Sequence, residues 1–183
     1  TIMIPKIIHR IWLGDRPPPY PEWWQEWQDL HPGWVCLIHT QLPHALVHAS
    51  AFPFVGRVDL MKLWALREYG GFYVDCDVNA VSSLEPLREN GFCVPITYGR
   101  SVSNCFSGST QDHAALLNLW EVASQVKEVK DVSRDVGSGL WTRVLANHRG
   151  ITRLKPYLVD ALAAHRNSRP RIAAHYGVQK WKD

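Results

Sequence analysis

Two aspartates, Asp75 and Asp77, follow directly on the apolar run 72–74, with Cys76 between them. Because side chains two positions apart on an extended chain point to the same side, the two carboxylates are predicted to lie together at a strand end, with Cys76 facing the core. Paired carboxylates are ligands for Mg²⁺ or Mn²⁺, and water and substrate phosphates commonly complete the shell of such an ion. The spacing therefore predicts a divalent-cation site for a phosphorylated or diphosphate ligand, with a solvated acidic turn as the alternative.

The elements predicted around this motif alternate between strands and helices. Strands are predicted at 6–12, 34–39, 72–75, 91–96, 105–107, 151–154 and 172–175, and helices at 21–30, 58–69, 111–126 and 140–147. This alternation predicts an α/β fold, and the lack of internal repeats or low-complexity linkers predicts a single domain over residues 1–183. Ligands of open α/β sheets bind at the carboxyl ends of strands, where Asp75 and Asp77 are expected.

Composition and charge exclude several classes of protein. The 183 residues are 46% hydrophobic and 20% charged, which excludes collagen, coiled coils and wholesale disorder. No apolar run approaches the ~18 residues of a transmembrane helix. Residues 1–6 show no charged region followed by an apolar stretch, so we expect no signal peptide. The four cysteines form no CxxC pair, and we expect reduced thiols in a cytoplasmic protein.

The net charge of +3 is unevenly placed along the chain. Residues 143–183 carry nine Lys or Arg against two Asp or Glu, whereas residues 1–142 carry 11 against 15. Such a basic segment can meet phosphate, an acidic polymer or a membrane surface, and a solvated basic face explains it equally well. A peripheral membrane contact through this segment is therefore one hypothesis. Nucleic acid is not an expected partner, because few aromatic residues interleave with the scattered basic ones.

A family resemblance is carried by several stretches that are spread over nearly the whole chain. They are Ile4–Gly14 (IPKIIHRIWLG), Val58–Leu66, Tyr69–Asp77 (YGGFYVDCD), Asn104 with Phe106, Gly137–Gly139, and His175 with Trp181. In this order they resemble glycosyltransferases with a DXD sugar-binding motif, the group around glycosyltransferase family 32 that is related to the glucosylating toxins. The resemblance implies a GT-A fold, in which a Rossmann-like mixed sheet flanked by helices binds a nucleotide sugar and a divalent cation.

The resemblance also implies roles for individual residues. Trp12 would stack on the nucleobase, Asp59 would bind donor sugar hydroxyls, Asp75 would contact ribose or sugar, Asp77 would bind the metal directly, and Asn104, His175 and Trp181 would complete the donor and metal site. Lys62 stands where the family usually has arginine and would contact phosphate or sugar of the nucleotide sugar; lysine keeps the charge but loses the bidentate fork, so this contact is expected to be weaker. Metal ligation is expected from Asp77, His175 and, through water, Asp75. A histidine nitrogen favours Mn²⁺ over Mg²⁺.

The implied activity is metal-dependent, retaining transfer of a sugar from a UDP- or GDP-sugar to a glycan or another hydroxyl acceptor. Asp75, Asp77 and Asp59 are the residues expected to serve catalysis, and no enzymic nucleophile is assigned. Two other functions remain open on the residues: a haloacid-dehalogenase-like phosphatase that uses the DxD strand end, and a Trp-rich sugar-binding module without catalysis.

Structural roles compete with the functional ones at several of these positions. By sequence alone, Trp12 could equally be a core residue, and a core histidine is the more common role for a residue such as His175. Asp59 could cap the helix predicted to begin at residue 58. His44 and His48 are spaced as some zinc ligands are, but without a third ligand we expect surface residues.

Overall fold

A six-stranded mixed sheet forms the centre of the fold. The structure, a computed structural model, describes residues 3–97, 99–155 and 172–175. In chain order the strands are β1 Ile7–Ile11, β2 Val35–His39, β3 Gly71–Val74, β4 Val78–Ala80, β5 Phe92–Pro95, β6 Phe106–Ser109, β7 Thr152–Leu154 and β8 Ala173–His175. The large sheet has the order β2-β1-β3-β6-β5-β7, and β4 pairs with β8 in a separate two-stranded sheet.

The strand directions bring three chain segments to one edge of the sheet. β1 runs parallel to β2 and β3, whereas β6 runs antiparallel to β3, with Val74 opposite Phe106. The carboxyl ends of β1 and β3 therefore meet the amino end of β6 at the same edge. Gly71 permits the close pairing of β1 and β3, because its φ is 100° and a Cβ there would lie 2.6 Å from the carbonyl oxygen of Ile7.

Helices cover both faces of this sheet. The helices are α1 Pro21–Leu30, α2 Phe54–Tyr69, α3 Ala114–Ala123, the short α4 Val132–Asp135 and α5 Ser138–Leu145, and 3-10 segments span His44–Ala51 and Glu85–Asn90. Side chains alternate along β3, so Phe72 and Val74 join the apolar cluster that contains Trp24 and Trp27 of α1. Tyr73 faces the other way and joins the cluster built with α2, α3 and α5.

The predicted α/β architecture is confirmed, and the departures from it are local. α2 begins at Phe54, four residues before the predicted start, because Pro53 precedes it in an extended conformation as the N-cap. β4, α4 and the two 3-10 segments were not predicted, since none of them is long enough to show a clear hydrophobic period. His44 and His48 are exposed, as predicted for surface residues.

Several sequence predictions fall outside the part of the chain that the structure describes. Residues 156–171 and 176–183 are outside the described part, and they include Trp181 and most of the basic segment 143–183. Within the described ranges, no helix combines the length and apolar character needed to cross a membrane. All four cysteines are free.

Candidate functional site

The two aspartates of the motif lie in a tight turn, which we call the DxD turn (Asp75–Asp77). β3 ends at Val74, and the backbone N–H of Val78 donates to the carbonyl oxygen of Asp75 at 3.1 Å. The prediction of an extended strand end with Cys76 facing the core is therefore wrong. The chain has to turn into β4 at Val78, so all three residues of the turn line the same cleft.

This cleft opens at the carboxyl edge of β1 and β3 and has a volume of about 70 Å³. Its walls include Trp12, Phe54, Lys62 and the DxD turn. The rings of Trp12 and Phe54 pack edge to face with centroids 5.9 Å apart. The indole N–H of Trp12 donates to the carbonyl oxygen of Arg16 at 2.6 Å, which fixes the ring orientation. Trp12 and the two aspartates of the DxD turn therefore line one cleft.

A buried charge network lies at the back of the cleft. The Lys62 ammonium contacts Oδ1 of Asp59 at 2.9 Å and Oδ1 of Asp75 at 3.0 Å, and it donates to the carbonyl oxygen of Asn104 at 3.3 Å. Burial disfavours its charged form, but the two carboxylates outweigh that cost and raise the pKa of Lys62 above its usual value. Lys62 is therefore a permanent cation, even though its side chain is only 4% exposed.

Asp59 and Asn104 lie behind the cleft and belong to this network. The Asn104 amide donates to Oδ1 of Asp59 at 2.9 Å, and a Cβ on Gly137 would lie 2.8 Å from Oδ2. The cleft formed by the described residues is lined by Lys62 but not by Asp59. Asp59 is the sixth residue of α2, so it does not cap the helix; that alternative is wrong because α2 begins at Phe54.

Two residues that sequence reasoning missed support the DxD turn. Tyr73 donates its hydroxyl to Oδ1 of Asp75 at 2.6 Å. Burial, reinforced by the Asp75 charge, raises the pKa of Tyr73 well above its usual value, so the hydroxyl remains a donor. The signal was its position two residues before Asp75, which places both side chains on one side of the strand.

Arg10 is the second missed residue, and its signal was a charged side chain in a strand that otherwise contains three isoleucines and a histidine. The guanidinium is fully buried on the α1 side of the sheet, 4.9 Å from the centre of the Trp24 ring. It donates to the carbonyl oxygens of Cys76 at 3.2 Å and Tyr20 at 3.4 Å. Burial lowers the pKa of Arg10, and nearby ionisable groups, including Asp75 and Asp77, oppose that shift.

The C-terminal strand brings His175 beside the DxD turn. β8 pairs with β4 in a register that places His175 opposite Val78, the residue after Asp77. The backbone therefore joins the predicted C-terminal ligand to the predicted metal-binding aspartates across 98 residues of sequence. Trp181, the other C-terminal residue implied in donor binding, lies outside the described residues.

His9, the middle residue of β1, pairs with the half-buried His39 at the end of β2. His9 is fully buried, with Nδ1 3.0 Å from Nε2 of His39 and Nε2 2.8 Å from the carbonyl oxygen of Gly70. Burial lowers the pKa of His9 to about 4, and the hydrogen bond to Gly70 only partly opposes this. His9 is thus neutral near pH 7 and links β1 to the glycine turn before β3.

The mixed sheet between two helical layers, with an acidic turn at the carboxyl edge of β1 and β3, is a GT-A glycosyltransferase fold. The solved structure of the PaToxG glycosyltransferase superposes with a TM-score of 0.61 at 16% identity, covering 91% of this chain and 74% of that chain. The galactosyltransferase LgtC, solved with donor and acceptor sugar analogues, gives a TM-score of 0.53 at 13% identity, covering 94% and 87%. At such low identity these structures establish the fold.

Sequence comparison places the acidic turn in a named glycosyltransferase region. Residues 20–92 match the family model described as the glycosyltransferase sugar-binding region containing the DXD motif. The predicted resemblance to DXD glycosyltransferases is thereby confirmed.

Two curated yeast proteins illustrate this relationship. Inositol phosphoceramide mannosyltransferase 3 of Schizosaccharomyces pombe is 31% identical over 131 residues, 63% of this chain and 36% of its own length. Mannosyl phosphorylinositol ceramide synthase CSH1 of Saccharomyces cerevisiae is 27% identical over 64% of this chain and 34% of its own length. The chain thus matches about a third of the length of these relatives.

Proposed function

We propose that this chain is a metal-dependent, retaining glycosyltransferase that transfers a sugar from a nucleotide-diphosphate sugar to a hydroxyl acceptor. The observation that carries the proposal is that Trp12 and the two aspartates of the DxD turn line one cleft at the carboxyl edge of the sheet. An aromatic face suits a nucleobase, and paired carboxylates suit a cation that accompanies a diphosphate. The family match over residues 20–92 supports the same function.

The oxygen ligands available around the cleft fit a divalent cation. Asp75 and Asp77 supply carboxylate oxygens, and Mg²⁺ or Mn²⁺ commonly takes one or two carboxylates and fills its shell with water and phosphate. Oδ1 of Asp75 already accepts from Tyr73 and Lys62, so Oδ2 is the oxygen left for the cation, its water or the donor. We assign Asp77 as the direct ligand, with His175 as a further ligand that favours Mn²⁺.

The chemistry that such a cation supplies is neutralisation of the negative charge on the leaving diphosphate. The chain's own residues prepare the site for this step. Tyr73 and Lys62 hold Asp75 from one side, and the ring of Trp12 orients the base at the cleft mouth. At about 70 Å³ the cleft is smaller than the ~300–1,000 Å³ typical of small-molecule sites, so the donor extends beyond it.

The names of the two curated relatives indicate which nucleotide-sugar donor to test first. Both are named for mannosyl transfer involving inositol phosphoceramide, so we propose a mannosyl donor, GDP-mannose, ahead of UDP-sugars. The proposed acceptor is a hydroxyl of a glycan or a glycolipid headgroup.

Isothermal titration of the full chain with GDP-mannose, UDP-glucose and UDP-galactose, in Mn²⁺ and in a chelator, tests this function. We expect one donor to bind in Mn²⁺ and to lose at least tenfold in affinity in the chelator. Asp77→Asn should lose this metal dependence, because it removes a carboxylate charge from the ion. Asp112→Asn is the matched control, since Asp112 is exposed outside the cleft. Equal binding with and without Mn²⁺, or an unchanged metal dependence of binding in Asp77→Asn, would refute the proposal.

The same samples separate the two alternative functions. A sugar-binding module would bind a glycan without metal or nucleotide. A phosphatase would hydrolyse p-nitrophenyl phosphate and trap phosphate on Asp75. The topology disfavours the phosphatase, because the motif follows the third strand of the chain, whereas the phosphatase family carries it on the first.

A further inference from the structure

Two buried cations approach the DxD turn from opposite faces of the sheet. Lys62 reaches Asp75 from the α2 face, where Tyr73 also lies. Arg10 reaches the backbone of the turn from the α1 face, beside Trp24. The network with Lys62 explains how the Asp75 side chain is held. It does not explain why an arginine is buried on the other side.

Arg10 carries a cost that a purely structural strand residue would avoid. Its side chain is 0% exposed, and a charged group in such a place is expensive unless it is well paired. The terminal nitrogens donate to backbone carbonyl oxygens, and Nε has no hydrogen-bond acceptor within the part of the chain that the structure describes. An apolar residue would fill this place without that cost.

The two carbonyl acceptors show what the guanidinium connects. One belongs to Cys76, the middle residue of the DxD turn, so the hydrogen bond fixes the peptide group that precedes Asp77. The other belongs to Tyr20, the N-cap of α1, which has φ 56° and ψ 57°. That left-handed conformation is unfavourable for a residue with a side chain, so Tyr20 needs a surrounding that holds it. Arg10 therefore ties the turn to the start of α1.

We propose that Arg10 is a positioning residue, which holds the DxD turn in its metal-binding shape through the Cys76 carbonyl and stabilises the nearby carboxylates by its charge. The inference rests on the proposed function, since it assigns the turn a bound cation and diphosphate. Arg10 itself touches neither ligand.

Substitution of Arg10 tests this role by a measurement that does not need activity. In Arg10→Met, we expect the Val78 amide, which closes the turn by donating to Asp75, to exchange hydrogen roughly tenfold faster, because a charged donor to the turn is lost. Arg10→Lys keeps the charge and one donor, so the exchange rate of its Val78 amide should lie between those of the wild type and Arg10→Met. Arg153→Met is the matched control, because Arg153 also donates to backbone carbonyls, those of Leu145 and His148, away from the cleft.

Binding of Mn²⁺ with GDP or UDP to the same variants gives the functional readout. We expect roughly tenfold weaker binding in Arg10→Met, partial recovery in Arg10→Lys and wild-type binding in Arg153→Met. A merely structural arginine would lower the melting temperature and leave both the Val78 exchange and the affinity of the folded protein unchanged, and that result would overturn the inference.

The two proposals fail in different ways. A wild-type chain that binds neither nucleotide in Mn²⁺ would contradict the proposed function. In that case the exchange measurement still decides the role of Arg10: unchanged Val78 protection in both Arg10→Met and Arg10→Lys refutes positioning, whatever the chain binds.

Discussion

The stability of the site depends on the buried Lys62, and its removal should unfold the protein at a much lower temperature. In Lys62→Met, the carboxylates of Asp59 and Asp75 lose a cation at 2.9 and 3.0 Å. Within the residues that the structure describes, Asp59 would keep only the hydrogen bond from the Asn104 amide, and its side chain is 6% exposed, so water cannot replace the ammonium. Breaking one side of a buried pair costs about 3–5 kcal/mol.

For a chain of this length, 1 kcal/mol shifts the melting temperature by about 2–4 °C, so we expect Lys62→Met to melt roughly 10–15 °C lower. Differential scanning calorimetry and urea unfolding at pH 7.5 measure this loss. Lys130→Met is the matched control, because Lys130 pairs with Glu128 at 3.7 Å on an open surface and its side chain is 71% exposed. Lys130→Met should change the free energy of unfolding by no more than about 0.5 kcal/mol.

A double variant distinguishes a lost charge pair from a lost packing contact. Asp59→Asn combined with Lys62→Met removes both the cation and the carboxylate that is most deeply buried beside it. We expect the double variant to be more stable than Lys62→Met alone, with a coupling of about 2–3 kcal/mol. If the two effects simply add, or if Lys62→Met melts within 2–3 °C of the wild type, the buried network does not stabilise this site.

Two further predictions concern the hydroxyl that holds Asp75 and the buried histidine. Tyr73→Phe removes only the hydroxyl that donates to Asp75, so we expect the Mn²⁺-dependent affinity for GDP or UDP to fall roughly fivefold. The control Tyr69→Phe changes a 42% exposed side chain and should bind as the wild type does. Equal affinities of Tyr73→Phe and the wild type would refute a role for the hydroxyl. The pKa of His9 is 6.5 in the unfolded chain and is lowered to about 4 by burial in the folded protein, so protonation favours the unfolded chain. The free energy of unfolding therefore decreases as the pH falls from about 6.5 to about 4, and about 2 kcal/mol is lost at pH 5. Urea unfolding from pH 7.5 to 4.5 should show a smaller acid loss in His9→Gln than in the wild type, with His48→Gln as the exposed control; equal pH slopes would contradict this assignment.

Elements with a long or sharply bounded pattern were predictable from the sequence. α1 lies at Pro21–Leu30 as expected, because a proline at its start and Trp24 and Trp27 on one face give both its boundary and its period. The strands that carry the site were also predicted within one or two residues. The start of α2 was not, because residues 54–57 contain a glycine and show no apolar period.

The sequence predicted which residues form the candidate site, but not which of them line the cleft and which lie behind it. Asp75, Asp77, Trp12 and Lys62 meet in the cleft, as the motif and the family resemblance indicated. That Asp59 lies behind Lys62 depends on side-chain packing between α2 and the segment around Gly137, which no local pattern encodes. Arg10 was missed for a related reason: its charge within a strand was visible in the sequence, but its partners are backbone carbonyls, which no sequence pattern identifies.

The balance of charge explains why an acidic site has cations built beneath it. Asp59, Asp75 and Asp77 are three buried or half-buried carboxylates, and without a counter-charge their mutual repulsion and desolvation would destabilise the folded site. Lys62 and Arg10 reduce the formal charge of the group to −1. Burial raises the pKa of Asp59, and the charge of Lys62 opposes that shift. With the proposed divalent cation the group becomes +1, which attracts a diphosphate. A site of charge −3 would hold the cation more tightly but would remain negative after binding it, and so would repel the donor.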